Sequence, residues 1–339
     1  MNILTHPVHT GYQFDLAKTG HDFYSIEIPE SREVFWDYAS RPKSKNYTLI
    51  KSLNNEDIKF DIILVHDELG YNYLKHLALP LIFKEHCLRE PFIVPIDWIK
   101  RINYYVFASQ TAEKSWILPY SCSPKKVIIG MGIDTEKYKG YIGNKNSILV
   151  VTNNIQKRKA EKGFDKLLAL SKKFNIYILG NGNEGIPCSI GQAETYSQLI
   201  KHYQEHMIYF NPSNSLGMTT LEAMATGMPV VTFKMINSDV IKHEYNGLIV
   251  NSIPEAEKSL HLLLSNKKLA KTLGDNARKT IKERYKTDLF IKKWDLLFQK
   301  TRIEKPNINK NYKSDLPYKI KKYFYNLRNL RKANNSLFE

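Results

Sequence analysis

Short apolar runs alternate with helix-like stretches along the first 140 residues of the chain. Runs that favour strands lie at residues 2–4, 23–28, 61–65, 79–83, 105–108 and 127–129. The run at residues 61–65 ends in four consecutive apolar residues, which is typical of a strand covered by helices on both faces. The pattern therefore predicts βαβ units and a parallel sheet.

A second series of strand-like runs follows at residues 148–151, 176–179, 207–210, 230–233 and 248–250. Residues 138–146 between the two series are rich in Gly, Asn, Lys and Ser, which is typical of a domain boundary. We therefore predict an α/β protein of two doubly wound, Rossmann-like domains. Their ranges are residues 1–142 and 143–300, followed by a basic linker and tail at residues 301–339. Because open α/β sheets bind ligands at the carboxyl ends of their strands, the two sheets should face a central cleft.

Positive charge is concentrated at the carboxyl-terminal end of the chain. Residues 276–339 hold 18 Lys or Arg against 6 Asp or Glu, a difference of +12 within the total of +16. A predicted helix at residues 318–332 has apolar and aromatic side chains on one face and basic side chains largely elsewhere. Such a helix binds an anionic membrane surface, or else packs on the first domain. The charges would also attract nucleic acid, but no nucleic-acid-binding motif accompanies them.

Composition favours a globular cytoplasmic protein. Apolar residues make up 42% of the chain, and no apolar run approaches the ~20 residues that a membrane span needs. The amino-terminal residues lack the basic start and long apolar stretch of a secretion signal. We therefore predict a cytoplasmic location, with the tail attaching the protein peripherally to the inner membrane face.

The most informative segment is NPSNSLGMTTLEAMATGMPVVTF at residues 211–233, which predicts a strand, a loop, a helix and a strand. Gly217 lies where the helix begins, so the amides there lack helical partners and can bind a phosphate with help from the helix dipole. Glu222, one turn further, can accept hydrogen bonds from two ribose hydroxyls. The donor-binding residues predicted here are Ser215, Leu216, Gly217, Met218, Thr219 and Glu222.

This segment resembles the signature of the large retaining GT-B glycosyltransferase family, group 1, which contains sucrose synthase and is related to glycogen synthase. The matching residues, in order, are Pro212, Ser213, Gly217, Leu221, Glu222, Ala223, Met224, Ala225, Gly227, Pro229, Val230 and Val231. The resemblance implies the GT-B fold and transfer of a sugar from a nucleotide diphosphate sugar with retained anomeric configuration. It extends along the chain to about residue 300.

One position departs from the family pattern. The family has two glutamates eight positions apart, and this chain has Asn214 in place of the first while Glu222 is the second. The resemblance implies that Glu222 holds the ribose and that Asn214 faces the transferred sugar. Asparagine keeps the ability to form hydrogen bonds but lacks the negative charge, which bears on donor choice and rate.

Further site residues are implied by the resemblance. Lys162 matches a lysine that neutralises the leaving diphosphate, and Arg158 would substitute for a partner arginine whose usual position is taken by Asn153 and Asn154. We therefore predict that the catalytic residues are His66, Lys162, Arg158 and Asn214.

Three glycines complete the predicted donor site. Gly180 and Gly182 match a family loop near the base, and Gly11 matches the glycine loop of the first domain. His66 matches a histidine that borders the sugar, and it follows a strand at the edge that should face the cleft.

No Asp-x-Asp sequence occurs, so we predict a metal-independent reaction without a cofactor. The resemblance implies a hexosyltransferase-type enzyme (EC 2.4) that takes a UDP-sugar or GDP-sugar and transfers the sugar to a glycan or lipid-linked acceptor. The departing phosphate oxygen would take the acceptor's proton, so no protein nucleophile is expected. Two alternatives are a nucleotide-sugar epimerase of the same architecture and a catalytically weakened nucleotide-sugar-binding protein, which Asn214 and the missing arginine would suit.

Overall fold

The computed structural model describes residues 1–29, 31, 35–38, 41–53, 58–86, 92–117, 125–213, 215–234 and 240–307. The predicted site residue Asn214 and the predicted helix at residues 318–332 lie outside these ranges.

The first domain contains a parallel sheet with the order β3-β2-β1-β4-β5-β7-β9, and β6 pairs separately with β8. The strands are β1 (Asn2–Thr5), β2 (Asp22–Ile26), β3 (Tyr47–Ile50), β4 (Ile62–Val65), β5 (Leu81–Lys84), β6 (Phe92–Ile93), β7 (Tyr104–Phe107), β8 (Trp116–Ile117) and β9 (Lys125–Ile128). The helices are α1 (Thr10–Ala17), α2 (Glu68–Leu74), α3 (Ile96–Arg101) and α4 (Gln110–Ser115). The strand order reverses between β1 and β4, which marks the switch point of this sheet.

The second domain contains a parallel sheet with the order β11-β10-β12-β13-β14. Its strands are β10 (Lys145–Val151), β11 (Ile176–Leu179), β12 (His206–Asn211), β13 (Val230–Phe233) and β14 (Leu248–Val250). The helices that follow β10 are α5 (Lys159–Lys162), α6 (Phe164–Ser171), α7 (Tyr196–Glu205), α8 (Met218–Thr226), α9 (Ile253–Ser265), α10 (Lys267–Arg284) and α11 (Thr287–Arg302). Here the order reverses between β10 and β12.

The two parallel sheets confirm the predicted fold class, and every strand predicted from the sequence is present. The short edge strand β3 was not predicted. It has only four residues, two of them are not fully buried, and it follows a stretch rich in Lys and Asn, so its pattern gave no clear strand signal. Side-chain caps explain where several helices begin. Asp67 accepts a hydrogen bond from the amide of Gly70, and Ser109 accepts one from the amide of Ala112.

Helix α11 returns to the first domain, although its sequence range follows the second. Its buried side chains Phe290, Trp294, Leu297 and Phe298 pack into a cluster with residues of β1, α1 and β4. By its packing, the second domain therefore ends before α11, whereas the range predicted for it extended to residue 300. The chain crosses between the domains twice, once before β10 and once after α10.

Replacing Trp294 with alanine should lower the free energy of unfolding by about 3–5 kcal/mol, because the indole is fully buried and its removal leaves a cavity. Urea unfolding measures this difference. Leu296→Ala on the same helix is the control, since Leu296 is 56% exposed and its loss should change stability by less than about 0.5 kcal/mol. Equal losses in the two variants would contradict the assigned packing of α11.

Candidate active site

A cleft opens at the switch point of the second sheet, where the carboxyl ends of β10 and β12 diverge. The empty volume of the cleft is about 350 Å³, including the part that is open to solvent. The residues that line it are Val150, Val151, Thr152, Lys162, Tyr209, Asn211, Pro212, Ser213, Ser215, Gly217, Thr219 and Thr220. The sequence predicted ligand binding at this edge, and the cleft combines residues from four elements there.

Hydrogen bonds shape the loop between β12 and α8. The side chain of Asn211 accepts from the amide of Ser213 at 3.1 Å and donates to the carbonyl of Ser215 at 3.1 Å. The Ser213 hydroxyl also donates to the Ser215 carbonyl at 3.0 Å. These bonds hold the loop against the end of β12 and direct the chain into α8.

Helix α8 begins at the cleft without a side-chain cap. Gly217 is the N-cap, and it has no side chain that could accept a hydrogen bond from the first turn. Gly217 and Thr219 line the cleft, and the Thr219 hydroxyl accepts a hydrogen bond from Tyr209 at 2.9 Å. The first turn of α8 therefore presents amide donors and the positive end of a helix dipole at the cleft wall.

An unusual junction between α5 and α6 places Lys162 at the cleft. Gly163 joins the two helices with φ of +69°, and a Cβ atom there would lie 2.1 Å from the carbonyl oxygen of Pro212. Only glycine permits this close approach to the loop after β12. The contact brings the neighbouring Lys162 to the same cleft as the start of α8.

Arg158 lies at the other end of α5, away from the lining residues. Its side chain is exposed and forms an ion pair with Glu161, one turn along. The structure therefore brings Lys162, but not Arg158, to the cleft.

The predicted glycines Gly180 and Gly182 pack against the loop that follows β10. A Cβ atom at Gly180 would lie 2.2 Å from the Thr152 carbonyl oxygen, and one at Gly182 would lie 2.2 Å from Oδ1 of Asn154. The Asn153 side chain accepts a hydrogen bond from the amide of Asn181 between them. These glycines allow two loops at the carboxyl edge of the sheet to touch.

Glu222 is buried and both of its carboxylate oxygens are engaged. Oε1 accepts a hydrogen bond from Nη2 of Arg41 at 2.5 Å, and Oε2 accepts one from the Tyr203 hydroxyl at 3.0 Å. Both partners of the ion pair are almost fully buried, with 5% and 4% of their side chains exposed. Burial is the largest single influence and opposes the charged form of Arg41, but Glu222, Tyr138, Tyr196 and Asp15 together outweigh it and raise the pKa of Arg41.

Arg41 reaches Glu222 from the first domain, so this ion pair crosses the interdomain gap. The guanidinium also lies 4.3 Å from the ring centroid of Tyr196 at the start of α7. Asp37 of the same first-domain segment accepts a hydrogen bond from Gln192 at 3.3 Å. Glu222 thus faces the first domain, which is the orientation that the predicted ribose site needs. In this structure its carboxylate accepts hydrogen bonds from Arg41 and Tyr203.

The loop after β1 closes against the start of α8. A Cβ atom at Gly11 would lie 3.4 Å from Cε of Met218. His9 precedes it and lies in the field of Glu222, Arg41 and Lys162. Its side chain is open to solvent, yet desolvation within the narrow gap is the largest cause of a lowered pKa. Gly11, Met218 and His9 therefore meet where the two domains face each other.

His66 lies at the switch point of the first sheet but is buried within the domain. Its Nε2 is 3.2 Å from the Thr5 hydroxyl and its Nδ1 is 2.9 Å from Nε2 of His86. Its amide donates to Nε2 of His6 at 2.9 Å, so neutral His6 carries its proton on Nδ1. Burial, reinforced by the neighbouring histidines, lowers the pKa of His66 well below 6.5. Both ring nitrogens therefore have partners inside the first domain.

The described residues contain no group of three or more His, Cys, Asp or Glu side chains that could hold a metal ion. In the same ranges no helix has the length and apolar character needed to cross a membrane.

Sequence reasoning missed Arg41, Tyr203 and His9. Arg41 stands in the sequence SRPKSK, which has the composition of a solvated charge run. Its role depends on contact with a residue 181 positions away, and no local pattern signals such a contact.

Residues 133–280 match the family described as glycosyl transferases group 1. The matched range runs from just before β10 into α10, and so covers most of the second domain. The chain is 31% identical over 157 residues to an uncharacterized glycosyltransferase of Haemophilus influenzae, covering 39% of this chain and 44% of that protein. It is 25% identical over 264 residues to an uncharacterized glycosyltransferase of Methanocaldococcus jannaschii, covering 76% of this chain and 56% of that protein. The matches thus span about half the length of these relatives.

The arrangement of the two domains is similar to that of HepE from Anabaena, solved in complex with UDP and glucose. The TM-score is 0.66 at 12% identity, over 88% of this chain and 99% of that one. The similarity establishes that the overall fold is GT-B, as predicted.

Removing the guanidinium in Arg41→Met should lower the free energy of unfolding by about 3–5 kcal/mol, because the Glu222 carboxylate would stay buried without its partner. Urea unfolding of both single variants and of Arg41→Met/Glu222→Gln forms a double-mutant cycle. The double variant should lose at least about 1 kcal/mol less than the sum of the singles. Arg302→Met, in the more exposed pair with Asp61, is the control and should cost less than about 1 kcal/mol. Additive losses in the cycle would contradict the pair.

Acid should destabilise the fold through its buried histidines. The pKa values of His6 and His66 are lowered by burial, so the unfolded chain binds more protons than the folded chain below about pH 6.5. Stability is therefore greatest above that pH and falls as the pH decreases, by about 1.4 kcal/mol per pH unit for each such histidine.

Urea unfolding at several pH values measures this slope. His66→Gln should make it shallower, whereas His76→Gln, at an exposed position of the same domain, should leave it unchanged. Identical slopes for wild type and His66→Gln would refute the assignment.

Proposed function

We propose that this chain is a retaining glycosyltransferase that uses a nucleoside diphosphate sugar as donor. One observation carries the proposal: Lys162 and the uncapped start of α8 line the same cleft at the switch point of the second sheet. The family match of residues 133–280 supports it.

The chemistry of the cleft suits a diphosphate. Backbone amides of the first turn of α8 donate hydrogen bonds to phosphate oxygens, and the helix dipole favours their negative charge. Lys162 adds a full positive charge with a charge-assisted hydrogen bond. Because the charge on the diphosphate grows as the bond to the sugar breaks, these donors stabilise the transition state more than the ground state.

Glu222 would hold the ribose beside the diphosphate. It lies one turn beyond the cleft residues on α8 and faces the first domain. A carboxylate has about four lone-pair sites, of which Arg41 and Tyr203 use two, so ribose hydroxyls would share it with Arg41 or displace the guanidinium. Donor binding is thereby coupled to the contact between the domains.

Transfer with retention proceeds at one face of the sugar. The bond between the anomeric carbon and the phosphate oxygen breaks, the bond to the acceptor oxygen forms on the same face, and the departing phosphate oxygen takes the acceptor's proton. This chain supplies charge stabilisation and positioning, and no protein nucleophile takes part. In this scheme Lys162 and the helix amides neutralise the leaving group without a metal.

HepE binds UDP and glucose, which favours UDP-sugar over GDP-sugar as the donor. A glycan or a lipid-linked intermediate remains the proposed acceptor, received by the first domain at the cytoplasmic face of a membrane. The basic tail at residues 318–332 is the proposed attachment to that membrane.

A catalytically weakened binding protein is the second candidate. It is favoured by Asn214, which replaces an acidic residue of the family pattern, and by the engagement of Glu222 with Arg41. Such a protein would bind donor without turning it over.

Lys162→Ala should weaken UDP binding by about tenfold or more, because a charge-assisted hydrogen bond to the diphosphate is lost. Isothermal titration calorimetry with UDP and GDP measures the change, and Glu222→Gln should also weaken binding. Lys159→Ala, exposed on the same short helix, is the matched control and should leave affinity unchanged.

Equal affinity of wild type and Lys162→Ala would overturn the diphosphate site. A nucleotide-release assay over a panel of nucleotide sugars and acceptors then separates transferase from binding protein, since only the transferase releases nucleotide in an acceptor-dependent manner.

A further inference from the structure

The outward face of α11 exposes three large apolar side chains. Leu289, Leu296 and Ile303 at its end are 43%, 56% and 85% exposed. Their spacing of seven residues puts them on one side of the helix, along about 21 Å at 1.5 Å per residue. We call these three residues the outer stripe.

Lysines accompany the outer stripe. Lys292, Lys293 and Lys300 are exposed and lie between its members along the helix. At 100° per residue, Lys293 and Lys300 fall within about 40° of Leu289, on the same face. This face of α11 thus combines the apolar outer stripe with positive charge, instead of the wholly polar surface expected of a solvated helix face.

The orientation of the outer stripe is imposed by the opposite face of α11. Trp294 and Phe298 are fully buried in the core of the first domain. Asp295 lies 2.9 Å from Nε2 of His21, and Nε of Arg302 lies 3.1 Å from Asp61. The helix cannot rotate to hide the outer stripe without losing these contacts.

The positive charge beside the outer stripe indicates which kind of partner can bind it. Residues 308–339 hold 8 Lys or Arg against 2 Asp or Glu, a difference of +6, so this tail is repelled by the lysines beside the outer stripe. A second copy packed stripe against stripe would set lysine against lysine. A nucleic acid would satisfy the lysines but would leave the leucines and the isoleucine without an apolar partner.

We propose that the outer stripe of α11 binds the surface of a bilayer that contains anionic lipid. The apolar side chains enter the boundary between headgroups and acyl chains, and the lysines meet anionic headgroups. The first domain then lies next to the lipid, with α11 parallel to the membrane plane. This surface adds to the proposed attachment through the tail and is independent of the donor and the reaction.

Vesicle cosedimentation of the full-length protein without substrate tests the proposal. Wild type should bind vesicles of equal parts phosphatidylglycerol and phosphatidylcholine more tightly than vesicles of phosphatidylcholine alone. The triple variant Leu289→Ser/Leu296→Ser/Ile303→Ser should bind the anionic vesicles about tenfold or more weakly, because the buried apolar area is lost. Lys292→Gln/Lys293→Gln/Lys300→Gln should weaken binding and reduce its salt dependence.

A matched control replaces three exposed apolar residues of the second domain and of the boundary between the domains. Ile142, Ile190 and Leu262 are 63%, 38% and 42% exposed, and their triple serine variant should bind vesicles as wild type does. Circular dichroism and thermal unfolding check that each variant folds. Since no nucleotide is present, failure here is distinct from failure of the proposed function.

Three results would overturn the proposal. Equal binding of wild type and the stripe variant to anionic vesicles would assign the attraction to the tail alone. Equal losses in the stripe and control variants would show a general effect of surface apolarity. A wild-type dimer that the stripe variant converts to a monomer, with vesicle binding unchanged, would assign the surface to a second copy.

Discussion

A buried carboxylate is costly unless a positive partner and further donors satisfy it, and in this protein the partner comes from the other domain. Glu222 belongs to α8 of the second domain, while Arg41 belongs to the first. The pair ties the relative placement of the two domains to one residue of the proposed ribose site. Any ligand that competes for Glu222 therefore also acts on the contact between the domains.

The proposed diphosphate site depends on a different constraint, the close approach of two loops. Gly163 touches the carbonyl of Pro212, and this contact puts Lys162 in the same cleft as the first turn of α8. A helix start without a side-chain cap leaves its amides to a ligand, and a lysine in the same cleft adds charge where a leaving diphosphate needs it. The backbone at Gly163 and at the start of α8 thus determines the geometry of this site as much as any side chain.

The interior of the first domain contains a cluster of buried histidines. His6, His66 and His86 meet at the ends of β1, β4 and β5, and His66 uses both ring nitrogens inside the domain. On the outside, α11 covers this domain with its aromatic face and turns lysines and apolar residues outward. The same helix that closes the core of the first domain therefore also defines the surface proposed to meet the membrane.

The sequence by itself determined the two parallel sheets, their strands other than the short edge strand β3, the start of α8 at Gly217 and the placement of Lys162 near that helix. These features rest on local signals: β-rich runs, glycine at helix ends and a dense segment match at residues 211–233. Only the tertiary structure decided that Arg41 engages Glu222, that Arg158 lies away from the cleft, that His66 is buried and that α11 packs on the first domain. Each of these depends on which distant segments meet, and a contact across 181 residues leaves no periodicity or spacing in the chain that could signal it.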